Sequence, residues 1–277
     1  PDQGFAIAPD ELEARIVRDK LDAILISNPC NPTGVAARGD DLAAWVDIAR
    51  RRGTTMLLDE FYSHFVYEHG GDVSATPGNA PISSAAYVDD VNEDPVVIAD
   101  GLTKCFRYPG WRIGWVVAPK SVIRTMTAAG SFLDGGASRP VQRAAIDVLK
   151  PARADQETTA LRNVFCAKRN KLVEHLEGLG VTFPARPTTT FYAFGSVAGL
   201  PAPLNTGEGF MRAALSHRVL SVPGAYFDVD PGRTREGASR LDQFVRFSFG
   251  PPMDNMCEGL DRLSGMMSNI ADGVSVG

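Results

Sequence analysis

The sequence predicts an α/β domain built on a mainly parallel sheet flanked by helices, followed by a smaller C-terminal α+β domain. Three observations carry this. Short apolar runs alternate with amphipathic helical segments up to about residue 100, helices dominate the next stretch, and short strands mixed with helices fill the remainder. A long helical segment over 154–179 joins the two, which places the division at residues 1–157 and 158–277.

The elements follow in order. Pro9 and Asp10 precede ELEARIVRDK, and Leu12, Ile16 and the following Leu21 form an apolar stripe, so a helix is predicted with Asp10 as its N-cap. LDAILIS (21–27) is a short apolar run of the kind found in parallel strands buried on both faces. It stops at NPCNPTG (28–34), whose prolines and glycine forbid regular structure. DDLAAWVDIARRRG places Leu42, Trp45, Val46 and Ala49 on one helical face and Gly53 at the C-terminal cap. TTMLLDE (54–60) and PVVIAD (95–100) are the next strands, with turns expected between them near Gly70-Gly71 and Pro77-Gly78. WRIGWVVAP (111–119) follows too soon for a crossover helix, which predicts an antiparallel pair. Helices are expected over 120–132, 138–149, 154–179, 207–217 and 253–270, strands over 190–194, 219–222 and 244–249, and a surface loop over 231–240.

The bulk numbers set outer limits. With 277 residues, 44% hydrophobic and 22% charged, the chain is ordinary for a soluble globular protein. Its net charge of −5 argues against a nucleic-acid or anionic-membrane surface. No apolar run reaches the roughly 20 residues that a membrane span requires. Cys30, Cys105, Cys166 and Cys257 form no CxxC pair, and His64, His69, His175 and His217 show no ligand spacing, so no disulfide framework and no metal are expected. Reduced thiols point to a cytoplasmic enzyme. The chain opens at Pro1 without an initiator Met, in mid-sequence style.

In parallel α/β sheets, ligands bind at the carboxyl ends of the strands. There the first strand delivers Asn28 and Asn31, the second Asp59 and Tyr62, and the third Thr103 and Lys104. A lysine at the rim of a core is a usable amine nucleophile. A carboxylate at the end of an apolar strand calls for a cation or a protonated ring nitrogen. A phenol and a carboxamide together hold an anionic oxygen, and Arg112, just beyond the turn at Gly110, offers a fork for a phosphate. These are the four handles of pyridoxal 5'-phosphate, which is therefore the expected cofactor. Taken singly each residue has a plainer reading: Asp59 as a cap, Asn31 as a turn former, Tyr62 as a half-buried aromatic, Arg112 as an exposed strand residue. Asn28 is expected to shape its turn, His64 to be a structural hydrogen-bonder, and Ser138 and Arg139 are weaker candidates for a partner-facing surface.

NPCNPTG, DEFY (59–62) and TKCFRYPGWRIG (103–114) resemble the signature set of the class I/II aminotransferases, which share pyridoxal-phosphate fold type I. The spacing from Asn31 to Asp59 to Tyr62 agrees, and Lys104, Phe106, Gly110, Arg112 and Gly114 meet the pattern K-x-F-x-x-x-G-x-R-x-G. TFYAF, VLSVPGAYF and FVRFSFG are similar to the family's small-domain strands, with Arg246 on the last. The resemblance implies an aminotransferase acting on an amino acid and a 2-oxo acid, as a homodimer. It implies that Lys104 carries the cofactor as a Schiff base and then serves as general base. It further implies that Asp59 pairs with the ring nitrogen, Tyr62 and Asn31 bond the ring's phenolic oxygen, Thr103 and Arg112 hold the phosphate, and Arg246, with Asn31, takes the substrate carboxylate. The same residues serve lyases, synthases and racemases on this cofactor, or a non-catalytic sensor domain. Two departures stand out: Gly101 occupies a position where the family often has a phosphate-binding Ser, and the family's earlier section, with its phosphate cradle and ring-stacking aromatic, does not precede Pro1.

Overall fold

The computed structural model describes residues 1–67, 80–230 and 234–271. The turns expected near Gly70-Gly71 and Pro77-Gly78, together with His69 and the start of the 231–240 loop, lie outside them. Two compact units are present, one of Ala6–Asn31 and Val35–Asn163, the other of Pro1–Phe5, Pro32–Gly34 and Val164–Gly277.

In the first unit a four-stranded sheet has the order β1-β2-β3-β4 (β1 Ala23–Ser27, β2 Thr55–Asp59, β3 Val96–Gly101, β4 Gly114–Val117). The first three strands run parallel, Ser27 facing Asp59 and Asp59 facing Ala99. β4 is antiparallel to β3, with Gly101 opposite Gly114, as the short connection required. Helix α1 (Pro9–Asp19) and helix α2 (Asp40–Arg52) cover one face, packing Leu12, Ile16, Leu42, Trp45 and Val46 against Met56, Leu58, Val96 and Ile98. α2 carries Asp40 and Asp41 in its first turn and Arg50, Arg51 and Arg52 in its last, both favourable to the helix dipole. Gly53 closes it at φ +66°.

Two expectations fail here. Asp10 is not the cap of α1: Ala8 holds that position and Asp10 lies in the first turn. Pro9 decides this, because its fixed φ starts the helix and it has no N–H to leave unsatisfied. β1 is buried on one face only. Ile24 and Ile26 meet the core, while Leu25 on the opposite face is 76% exposed.

β4 starts later than its apolar pattern suggested. Pro109–Trp111 forms a single 3-10 turn and Arg112 takes the left-handed conformation at φ +53°, so pairing begins only at Gly114. Helices α3 (Lys120–Leu133), α4 (Arg139–Val148) and α5 (Pro151–Gly178) follow, and the boundary between the units falls within α5.

The second unit has a three-stranded antiparallel sheet in the order β5-β7-β6 (β5 Tyr192–Ser196, β6 Val222–Pro223, β7 Phe244–Ser248), with helices α6 (Gly207–Ser216) and α7 (Met253–Ala271). Phe194 stacks on Phe244 with centroids 5.2 Å apart, and Phe210 meets Phe247 edge-on at 5.5 Å. Thr206 caps α6, its Oγ1 accepting the Gly209 N–H. β6 is shorter and later than the 219–222 run suggested, and Leu220 is exposed.

Candidate active site

The parallel register brings the ends of β1, β2 and β3 to one edge of the sheet, and the antiparallel β4 begins at that same edge. Asn28 and Asn31, Asp59 and Tyr62, Thr103 and Lys104, and Arg112 therefore all belong to turns along a single rim. The Asn28 N–H donates to Asp59 O at 3.0 Å and the Glu60 N–H to Ala99 O at 2.9 Å, extending the ladder one step into these turns.

Each turn is set by local chemistry. The Asn28 side chain is buried and bonds both ways to Ala37, Nδ2 donating to its carbonyl at 3.0 Å and Oδ1 accepting its N–H at 2.8 Å. The Cys30 N–H donates to Val35 O, which folds the loop so that Asn31 stands half-buried at its bend. Gly34 closes it at φ +72°, where a Cβ would lie 2.7 Å from Pro187 Cβ. Asn28 thus shapes the loop, as its residue type suggested.

Asp59 ends β2 half-buried, its Oδ1 accepting the Phe61 N–H at 3.2 Å. Glu60 next to it points into the protein, where Oε1 accepts the Ser84 N–H and hydroxyl at 2.8 and 2.6 Å. Burial pushes the Glu60 carboxyl above its ordinary value. Tyr62 is 4% exposed and packs beside Phe65, and Lys104 Nζ stands 5.8 Å from the centre of its ring. His64 is structural. Its Nδ1 lies 2.6 Å from Thr158 Oγ1, its carbonyl accepts from Arg162 Nε at 3.1 Å, and burial, reinforced by Arg162, lowers it to about 4. His175 and His217 bond Ser264 and the Ala213 carbonyl, far from any ligand geometry.

The lysine turn is built on β3. Gly101 has no room for a side chain: a Cβ there would meet Ile113 O at 2.6 Å and the Phe61 ring at 2.7 Å. A hydroxyl at this position, which the family often carries, could enter only by displacing these neighbours, and Thr103, half-buried two residues on, is the hydroxyl available beside Lys104. Asp100 was missed in the sequence, although it ends an apolar strand as Asp59 does. Its Oδ1 accepts the Gly101 N–H at 2.6 Å, and burial, with Glu60 and Asp59 nearby, pushes it up to about 7. Arg112 is exposed, and its Nη1 donates to Pro109 O at 3.0 Å. Arg107, also left-handed and exposed, pairs with Glu157.

Arg246 stands in the other unit, on β7, opposite Phe194 and Val222. Its guanidinium lies 4.1 Å from the centre of the Tyr192 ring and 4.7 Å from that of Phe227, a stacked setting that holds the planar fork. Ser138 occupies the cap position of α4 and Arg139 its first turn, both exposed.

As a donor set, the sheet rim offers an amine, a phenol, a carboxylate, a carboxamide, a hydroxyl and a guanidinium. It fits a ligand that has an aldehyde, a basic ring nitrogen, a phenolic oxygen and a phosphate.

A sequence profile described as aminotransferase class I and II matches residues 1–263. The chain is similar to the aspartate aminotransferase of Pyrococcus horikoshii, 27% identical over 95% of this chain and 60% of that protein. It is 30% identical to the probable N-succinyldiaminopimelate aminotransferase of Mycobacterium tuberculosis, over 95% of this chain and 62% of the relative. The chain thus spans about three-fifths of the length of these curated relatives. Among solved structures, N-succinyldiaminopimelate aminotransferase of M. tuberculosis superposes with a TM-score of 0.77 at 26% identity, over 95% of this chain and 63% of that one. The aspartate aminotransferase of Thermus thermophilus with maleate shares the fold with the same TM-score, 0.77, at 23% identity, over 96% of this chain and 62% of that one. Matched along nearly all of its length, the chain belongs to the class I and II aminotransferase family.

Proposed function

We propose that this chain works in the pyridoxal 5'-phosphate-dependent transfer of an amino group between an amino acid and a 2-oxo acid. The observation that carries the reading is the convergence of Asp59, Tyr62 and Lys104 on one sheet rim, with Nζ of Lys104 5.8 Å from the centre of the Tyr62 ring. When bound, pyridoxal phosphate supplies an aldehyde for an amine and a ring that draws electrons from the substrate α-carbon.

The chain's own residues do the rest. Lys104 Nζ would hold the cofactor through its aldehyde, and its amine would move the proton at the substrate α-carbon. Asp59 holds a proton on the ring nitrogen. Tyr62 and Asn31 would bond the phenolic oxygen, Thr103 and Arg112 would hold the phosphate, and Arg246 would take a carboxylate through its fork. The aromatic stacking of Arg246 supports that last role, because a pre-oriented fork loses less freedom on binding a carboxylate. In the same reading residues 1–157 are the cofactor-binding part and residues 158–277 the small C-terminal part, the protein is a homodimer, and it resides in the cytoplasm, where the four free cysteines would persist.

Borohydride reduction of the cofactor-loaded protein followed by peptide mass mapping tests this. A pyridoxyl group on Lys104 is expected, and an adduct on another lysine would remove the basis of the proposal. Product analysis separates the chemistry: amino transfer requires a 2-oxo acid acceptor, so pyruvate and ammonia formed without one would point to elimination instead.

A further inference from the structure

The turn that carries Tyr62 and the turn that carries Lys104 come from different strands, and their meeting rests on a few polar atoms away from the ligand side. Cys105, immediately after Lys104, is buried. Its Sγ–H donates to Phe61 O at 3.1 Å, and its sulfur accepts the His64 N–H at 3.3 Å. These two backbone groups flank Tyr62. Ser63 Oγ stands 3.8 Å from the same sulfur and 3.5 Å from Asp100 Oδ2, a further and looser strut between the turns. Burial pushes the Cys105 thiol up to about 12, so it keeps the proton that the bond to Phe61 O needs.

We infer that Cys105 is a positioning residue: by bonding Phe61 O and the His64 N–H, its thiol sets the separation of the Tyr62 phenol and the Lys104 amine. The inference rests on the proposed roles of those two residues and goes beyond them, since it gives a role to a buried residue that the proposal leaves out. A thiol suits this place because it both donates and accepts, and because it desolvates at lower cost than a hydroxyl does. Without these bonds the partly buried Phe61 carbonyl and His64 amide would lose their partner, and the two turns would part to hydrate them.

The test measures the amine rather than the reaction. Cofactor-free protein is trace-methylated with formaldehyde and cyanoborohydride, and the labelling of Lys104 is divided by that of Lys120, which is exposed at the start of α3. In Cys105→Ala the ratio should rise about threefold or more, the size expected for one lost hydrogen bond. Cys105→Ser, which keeps a donor and an acceptor, should stay near the wild-type ratio. An unchanged ratio in a folded Cys105→Ala protein, or a Cys105→Ser ratio as high as that of Cys105→Ala, would overturn the inference. Should Cys105→Ala not fold, Cys105→Val fills the space without a donor, and the same outcomes apply. The cofactor reading fails separately: it falls if added pyridoxal phosphate does not protect Lys104 in the wild-type chain, whereas the comparison among variants still judges the thiol.

Discussion

The two halves of the candidate site are built differently. Around Tyr62 and Lys104 the turns are buried and cross-linked: Cys105 bonds two backbone groups beside Tyr62, Glu60 takes two bonds from Ser84, and His64 is tied to α5 through Thr158 and Arg162. The segment from Arg107 to Arg112, proposed to reach the phosphate, is largely exposed and has left-handed residues at both ends, and the Arg112 guanidinium bonds its own turn at Pro109 O. The groups proposed to meet a ring at fixed angles stand on buried supports, and the cation proposed to meet a rotatable phosphate stands on an exposed one.

From that contrast, substitutions in the first half should affect chemistry and those in the second should affect cofactor retention. The largest effect is expected for Lys104→Ala, which should lower amino transfer by at least about a thousandfold and abolish the visible absorbance of the lysine-bound cofactor. Persistence of that absorbance would break the assignment. Arg112→Gln should weaken cofactor binding by about 10- to 100-fold, the worth of a charge-assisted hydrogen bond, while leaving turnover at saturating cofactor near normal. A loss of turnover with unchanged affinity would place Arg112 with the buried half instead. Gly101→Ser should lower the melting temperature by several degrees, since its Cβ meets both the Phe61 ring and the Ile113 carbonyl.

The smallest effect concerns pH. Asp100, held up to about 7 mainly by burial, keeps a proton in the folded protein that the unfolded chain releases above about 4. Its contribution to stability therefore declines as pH rises from about 4 to about 7 and then levels off. Asp100→Asn cannot ionise, so its melting temperature should gain on the wild type across that window, by a few degrees at pH 8 relative to pH 5. A constant difference between the two proteins would show that the Asp100 carboxyl does not titrate in that range.

The main lines of the fold were legible because apolar runs and their spacing report burial directly. The antiparallel β4 followed from a gap too short for a helix, and α2 from its stripe and Gly53. What was not legible depended on partners remote in sequence. Leu25 reads as core, but the helices α1 and α2 cover only the opposite face. Asp10 reads as a cap until Pro9 is weighed, and β4 reads as beginning at Trp111 until the turn at Pro109 is seen. At the site, Asn31, Asp59, Tyr62, Thr103, Lys104 and Arg112 could be placed on one rim because strand ends in a parallel sheet share an edge. Ser63, Asp100 and Cys105 could not, since the reason for each is a contact with a turn on another strand. Asp100 does carry part of the signal, an acid closing an apolar run as at Asp59.

The crowding at Gly101 has a consequence for how this lineage can vary. A hydroxyl at that position carries a cost in stability: the ring at 61 and the entry into β4 must both give way to admit a serine there. Homologues that carry the serine should therefore carry a smaller residue at the site equivalent to Phe61, and the two changes should be inherited together.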